Sequence, residues 1–109
     1  MTVTVPDVWL GAIRDWAREI PAVEAIYLFG SYARGAQTAQ SDLDIGVVVS
    51  NPDGEALSTW ITESDNWAAA LQDQLPVKLD LQLANPDLSE AVVGPAVRRE
   101  GVLIFKPEK

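Results

Sequence analysis

The 109-residue chain predicts a two-layer α/β fold: a mixed sheet of about four strands with helices mainly on one face. Three observations carry that reading. Apolar residues recur three and four apart over 9–20 and again over 57–75, the period of a helix with one buried face. Two short runs, Val23–Phe29 and Leu43–Ser50, are dense in branched and aromatic side chains and suit buried strands. From Val77 to Leu83 apolar and polar residues alternate strictly, as in a strand with one face on a core and the other open.

In chain order, Met1–Pro6 is a lead-in, and Asp7 follows Pro6 at the head of a helix. Trp9, Leu10, Ile13, Trp16, Ala17 and Ile20 form its apolar face; Arg14, Asp15, Arg18 and Glu19 fill the other. Pro21 requires that this helix has already ended. Val23–Phe29 reads as a central strand covered on both faces. Ser31–Thr38 is a turn with one short helix, in which Gly30 and Gly35 bracket Tyr32, Ala33 and Arg34. In the next strand Leu43, Ile45, Val47 and Val49 share one face, and Asp44, Gly46 and Val48 share the other. The Asp44 side has room for a ligand at one end and packs lower down.

After a turn at Asn51–Gly54, a helix is expected over Glu55–Gln74, with Leu57, Trp60, Ile61, Trp67, Ala68, Leu71 and Leu75 on one stripe. Ser64, Asp65 and Asn66 interrupt it, giving a kink or two shorter helices. Trp60 and Trp67, two turns apart on one face, serve core packing or a partner surface. Asn85-Pro86-Asp87 is a turn and cap for a last helix running from Leu88 to Glu100 and broken at Gly94-Pro95. Gly101 ends it, ahead of a short strand Val102–Phe105 and a polar tail.

Length sets the organisation at one domain, residues 1–109. The chain has no cysteine and no histidine, which excludes disulfides, thiolate and imidazole metal ligands, and the usual base near neutral pH. Catalysis must then run on carboxylates, hydroxyls, backbone groups or a metal ion. Sixteen acidic residues against eight basic ones give a formal net charge of −8. That balance argues against direct nucleic-acid binding and for a small molecule or a basic protein as partner. No charged-then-apolar leader and no apolar run of membrane length is present, so a soluble cytoplasmic protein is expected.

The stretch Ile26–Val49 carries the chemistry. Asp42 and Asp44, two apart at the start of a strand, point the same way. Like charges held together gain nothing unless a cation neutralises them, and a hard ion such as Mg²⁺ takes one or two carboxylates plus phosphate oxygens. The Gly30-Ser31 turn complements this, since its backbone N–H groups can cradle an anion. The other reading leaves Asp42 capping a turn with Ser41 and Asp44 solvated. Arg34 is either a surface residue or a phosphate contact. Asp80 is either an ordinary polar residue or, with its strand beside that of Asp44, a third carboxylate of one site.

Leu28-Phe29-Gly30-Ser31-Tyr32-Ala33-Arg34-Gly35 followed by Ser41-Asp42-Leu43-Asp44-Ile45 resembles the signature of the nucleotidyltransferase superfamily, in its small form, the minimal nucleotidyltransferase. The resemblance covers nearly the whole chain and implies a nucleotidyltransferase-like fold. It also implies that Gly30 and Ser31 hold the β and γ phosphates of ATP, with Arg34 in the same turn segment. Asp42 and Asp44 match the Mg²⁺ ligands, and Asp80 matches the third carboxylate, which helps hold a second metal and activates the attacking hydroxyl. Minimal members look like antitoxins encoded beside a HEPN-domain ribonuclease toxin. The implied activity is AMPylation, transfer of AMP from ATP to a toxin tyrosine. Two other readings stand beside it: a binding module that neutralises its partner by occlusion, and a small-molecule nucleotidyltransferase whose acceptor-binding domain is another chain. A homo- or hetero-oligomer is compatible with each.

Overall fold

The computed structural model describes residues 5–35, 38, 41–50, 54–85 and 101–107, with Arg34 described by its backbone alone. Helix α1 (Asp7–Arg18) starts where the Pro6 carbonyl accepts from the N–H groups of Trp9 and Leu10, at 3.0 and 3.1 Å. Asp7 in its first turn and Arg18 in its last complement the helix dipole. It ends two residues before the apolar pattern does, and Glu19 and Ile20 close it with N–H bonds to Trp16 and Ala17.

Strand β1 (Val23–Phe29) follows directly and leads into α2 (Gly30–Arg34), then β2 (Leu43–Val49). Helix α3 (Ala56–Gln72) carries the chain to β3 (Leu79–Leu83), and β4 (Val102–Phe105) lies near the end of the chain. The sheet order is β3-β2-β1-β4. β1 pairs antiparallel with β2 and β4, whereas β3 lies parallel to β2. Parallel neighbours need a long crossover, and α3 is that crossover. The expected mixed four-stranded sheet is therefore present, with β1 and β2 as its inner strands.

One sheet face builds the core. Ile26, Leu28, Leu43, Ile45, Val47 and Val49 are essentially inaccessible there and pack in one cluster with Leu10, Ile13 and Ala17 of α1 and Ala56, Trp67 and Leu71 of α3. The opposite face is mixed: Phe29 and Ala84 are buried in a small cluster with Tyr27 and Val48 beside them. Among the described residues no helix is long and apolar enough to cross a membrane.

Helix α3 departs from expectation in two ways. It is continuous through Ser64-Asp65-Asn66. Asp65 and Asn66 are exposed, and a polar side chain facing water costs a helix only a few tenths of a kcal/mol, about 0.7 at most, too little to break it. The buried stripe keeps Trp67, Leu71 and Leu75 of the expected face but begins at Ala56, while Leu57 and Ile61 stand 46% and 71% exposed. Trp60 packs against the core cluster and meets Trp67 edge-on at 6.3 Å, so this pair serves packing. The broken helix expected over Leu88–Glu100 lies outside the described residues.

β3 is tied at both ends. The Gln72 amide donates to the Val77 carbonyl at 2.7 Å and accepts from the Leu79 N–H at 2.8 Å. Leu43 N–H bonds the Lys78 carbonyl, and Ala84 N–H the Val47 carbonyl, both at 2.8 Å. Asn85, the first residue of the expected turn, extends the ladder with its side chain; Pro86 and Asp87 lie outside the described residues. The Asn85 Oδ1 accepts from the Val49 N–H and its Nδ2 donates to the Val49 carbonyl, both at 2.8 Å and buried. Asn85→Ala strands both backbone groups and is expected to cost about 2–3 kcal/mol in urea unfolding. Ile61→Ser, on the exposed side of α3, is expected to change stability by less than about 0.5 kcal/mol.

Candidate active site

The site grows from the point where β1 ends. Phe29 pairs with Asp44 across the antiparallel ladder, so the chain leaving β1 turns immediately beside the Asp44 carboxylate. Gly30 makes that turn with φ +72°, a backbone region that side chains rarely occupy. A Cβ at Gly30 would fall on Oδ2 of Asp44 and lie 2.9 Å from its Cγ. Asp44 is thus seated directly against the backbone at the head of α2, and only glycine leaves room for it.

The remainder of the turn is pinned from below. Tyr32 and Ala33 are buried in the core cluster, and the Tyr32 ring meets Trp9 of α1 at 6.1 Å. Gly35 closes α2 in the left-handed conformation, φ +71°, with its N–H on the Ser31 carbonyl. Ser31 is half-buried. A short helix with glycine at both ends matches the sequence expectation; the Arg34 side chain lies outside the described residues.

The parallel register sets Asp44 directly opposite Asp80. Neighbouring strands lie about 4.8 Å apart, so two carboxylates of one sign stand side by side on the face away from the main core. Directly opposed like charges destabilise a sheet, which is the arrangement expected of a cation site. Asp42 stands just before β2, half-buried, with its Oδ2 4.0 Å from Nζ of the exposed Lys78. That separation and exposure make the pair a weak interaction.

Two site neighbours were not singled out from the sequence. Gln82 donates from Nε2 to both carboxylate oxygens of Asp80, at 3.1 and 3.0 Å. Lys78 supplies a positive charge beside Asp42. Both lie on the Asp80 side of the Val77–Leu83 alternation, the one signal that could have found them.

Among the described residues no three carboxylates are grouped closely enough to hold a metal ion by themselves. The donor set is nonetheless of the right chemistry: hard carboxylate oxygens at Asp44, Asp80 and Asp42, with Asp44 against a glycine. It fits a Mg²⁺ ion that takes the balance of its ligands from water and a polyphosphate. A cavity of about 510 Å³ between α1 and the end of β4, lined by Arg14, Arg18, Ile104 and Lys106 among others, includes none of these residues and no carboxylate.

Residues 12–109 match the family described as Polymerase beta, Nucleotidyltransferase. The chain is 35% identical over 74 residues to the protein adenylyltransferase MntA of Shewanella oneidensis, covering 68% of this chain and 51% of MntA. It therefore spans about half the length of that curated relative. A crystal structure of a toxin-antitoxin with AMP-PNP superposes with a TM-score of 0.67 at 29% identity, over 91% of this chain and 74% of that one. A structure of tri-AMPylated Shewanella oneidensis HEPN toxin in complex with MNT antitoxin gives 0.58 at 25% identity, over 93% and 72%.

The close seating of Asp44 makes Gly30 sensitive to its own side chain. Gly30→Ala is expected to lower stability by about 1–3 kcal/mol in urea unfolding. Gly11→Ala is the control: Gly11 lies within α1 and a Cβ there meets nothing within 4 Å, so this change is expected to stabilise by about 0.5–1 kcal/mol.

Proposed function

Because the chain belongs to the polymerase beta nucleotidyltransferase family, we propose that it transfers AMP from ATP, with Mg²⁺, to a tyrosine hydroxyl of a HEPN-type ribonuclease toxin, and that this modification makes it an antitoxin. The observation that carries the reading is the pairing of Asp44 with Asp80 across the parallel ladder, with Asp44 seated against Gly30. Two relatives support a protein acceptor: one is a protein adenylyltransferase, and another is an antitoxin in complex with an AMPylated toxin. The acidic balance of the chain suits a basic partner, and the cytoplasm is the matching compartment.

In this reading Asp42 and Asp44 would hold Mg²⁺, and Asp80 would complete the set. Bound metal supplies positive charge that stabilises the phosphate oxygens as charge develops on them. The Gly30-Ser31 turn, with Arg34, takes the β and γ phosphates and leaves the α-phosphate beside the carboxylates. The tyrosine oxygen attacks the α-phosphorus; a P–O bond to tyrosine forms as the bond to the β-phosphate bridging oxygen breaks. Pyrophosphate leaves toward the Ser31 turn. The hydroxyl proton passes to the Asp80 carboxylate, which is placed beside Asp44 on the same face.

The test is incubation of the full chain with Mg²⁺, α-labelled ATP and the protein encoded next to it, expected to be a HEPN protein, read by intact mass and gel. Label is expected on the toxin. Asp44→Asn should lower transfer by about 100-fold or more, beyond the 10–100-fold typical of outer-shell partners, while the chain stays folded and no less stable in urea, since one of two opposed charges is removed. Full transfer by Asp44→Asn would sink the catalytic reading. A stable complex without incorporation, under Mg²⁺ and Mn²⁺ and with other nucleotides, would instead indicate neutralisation by occlusion.

A further inference from the structure

Gln82 follows Asp80 by two residues on β3, so both side chains rise from one face of the strand. Across the ladder Asp80 faces Asp44 and Gln82 faces Gly46. Gly46 has no side chain, so β2 sends no competing group to the amide from that position. Both Asp80 and Gln82 are half-buried, and Nε2 of Gln82 reaches Oδ1 and Oδ2 of Asp80 at 3.1 and 3.0 Å.

The rotation of an aspartate carboxylate about Cβ–Cγ is soft and broad, and repulsion from Asp44 would favour swinging it away. One amide NH₂ held against both oxygens removes that freedom, and a hydrogen bond to an ionised acceptor is about twice as strong as a neutral one. A neutral donor suits this place. It steadies the carboxylate without cancelling its charge, as a lysine or arginine there would.

We propose that Gln82 is a positioning residue for nucleotidyl transfer: its amide fixes the orientation of the Asp80 carboxylate beside Asp44, so that Asp80 meets metal and acceptor without first reorganising. This rests on the reading of Asp80 as a site residue. In this assignment Gln82 acts through Asp80, the group its amide holds.

The experiment compares the full chain with Gln82→Leu, Gln82→Glu, Gln82→Asn, Asp80→Asn and the Asp80→Asn/Gln82→Leu double variant. Three quantities are measured: kcat and KM for ATP in toxin labelling, Mn²⁺ affinity with a non-hydrolysable ATP analogue bound, and urea unfolding. Gln82→Leu is expected to lower kcat and Mn²⁺ affinity by about 10-fold or more, leaving KM for ATP unchanged and the chain folded through the native baseline of the urea titration. Gln82→Glu, which brings a like charge, should lose more, and Gln82→Asn, which keeps the donor on a shorter arm, should recover part. In the Asp80→Asn background Gln82→Leu should have no further effect. Parental kcat and Mn²⁺ affinity in Gln82→Leu, with Asp80→Asn inactive, would overturn the role of Gln82 alone; so would a full additional loss in the double variant. Parental activity in Asp80→Asn would overturn the reading of the site and this inference with it. The Mn²⁺ titration decides the question even if the acceptor is a different protein, because it requires no turnover.

Discussion

Parallel pairing of β2 with β3 is the constraint from which the rest of the site follows. It sets Asp44 against Asp80, an arrangement a sheet would not keep for its own stability, since opposed like charges work against the pairing. The strands are held in that register by groups with no share in the chemistry. Gln72 ties the approach to β3, Leu43 and Ala84 close the ladder at its two ends, and Asn85 carries it past Val49 with a side-chain amide. Below them the leucines of β3 and the odd positions of β2 sit in one apolar cluster. Burial on one face thus determines the position of charge on the other: a slip of one residue would send the carboxylates inward and the leucines outward.

The second constraint is the close approach of Asp44 to Gly30. It links the two halves of the site, because the turn that would receive phosphates and the carboxylate that would receive metal share a van der Waals boundary. That turn is short and held mainly by what it buries. Tyr32 and Ala33 are anchored in the core, Trp9 of α1 lies against the Tyr32 ring, and the left-handed glycines at positions 30 and 35 let the backbone enter and leave. A loop anchored in this way presents its backbone groups in a set direction, which is what binding a charged substrate without large ordering cost requires.

The charge pattern suits the proposed transfer to a protein. The chain carries −8 overall, and α3 has no basic residue between Ala56 and Gln72, so the molecule offers little to a nucleic acid and much to a basic partner. Within that acidic surface the candidate site concentrates carboxylates further, a state that magnesium and a nucleotide polyphosphate together would balance.

Much of this was legible in the residues. The boundaries of β1 and β4, the start of α1 and the faces of β2 followed from period and punctuation, because local spacing determines which side chains can share a surface. The glycine-serine turn and the Asp42/Asp44 pair were legible for the same reason: both are contiguous features. Sequence alone left α3 kinked or divided and put Leu57 and Ile61 on its buried stripe, since both are as apolar as the residues that are buried, and only contact with α1 and the sheet decides which of them are covered. Asn85 and Gln82 belong to the same class, whereas the place of Asp80 beside Asp44 was one of two readings of the alternation and was favoured only by the resemblance. Each depends on which strand lies next to which, and that choice is made by the packing of distant segments. Sequence determined the groups available for chemistry; the tertiary structure decided which of them meet, because pairing between strands is a property of the whole sheet.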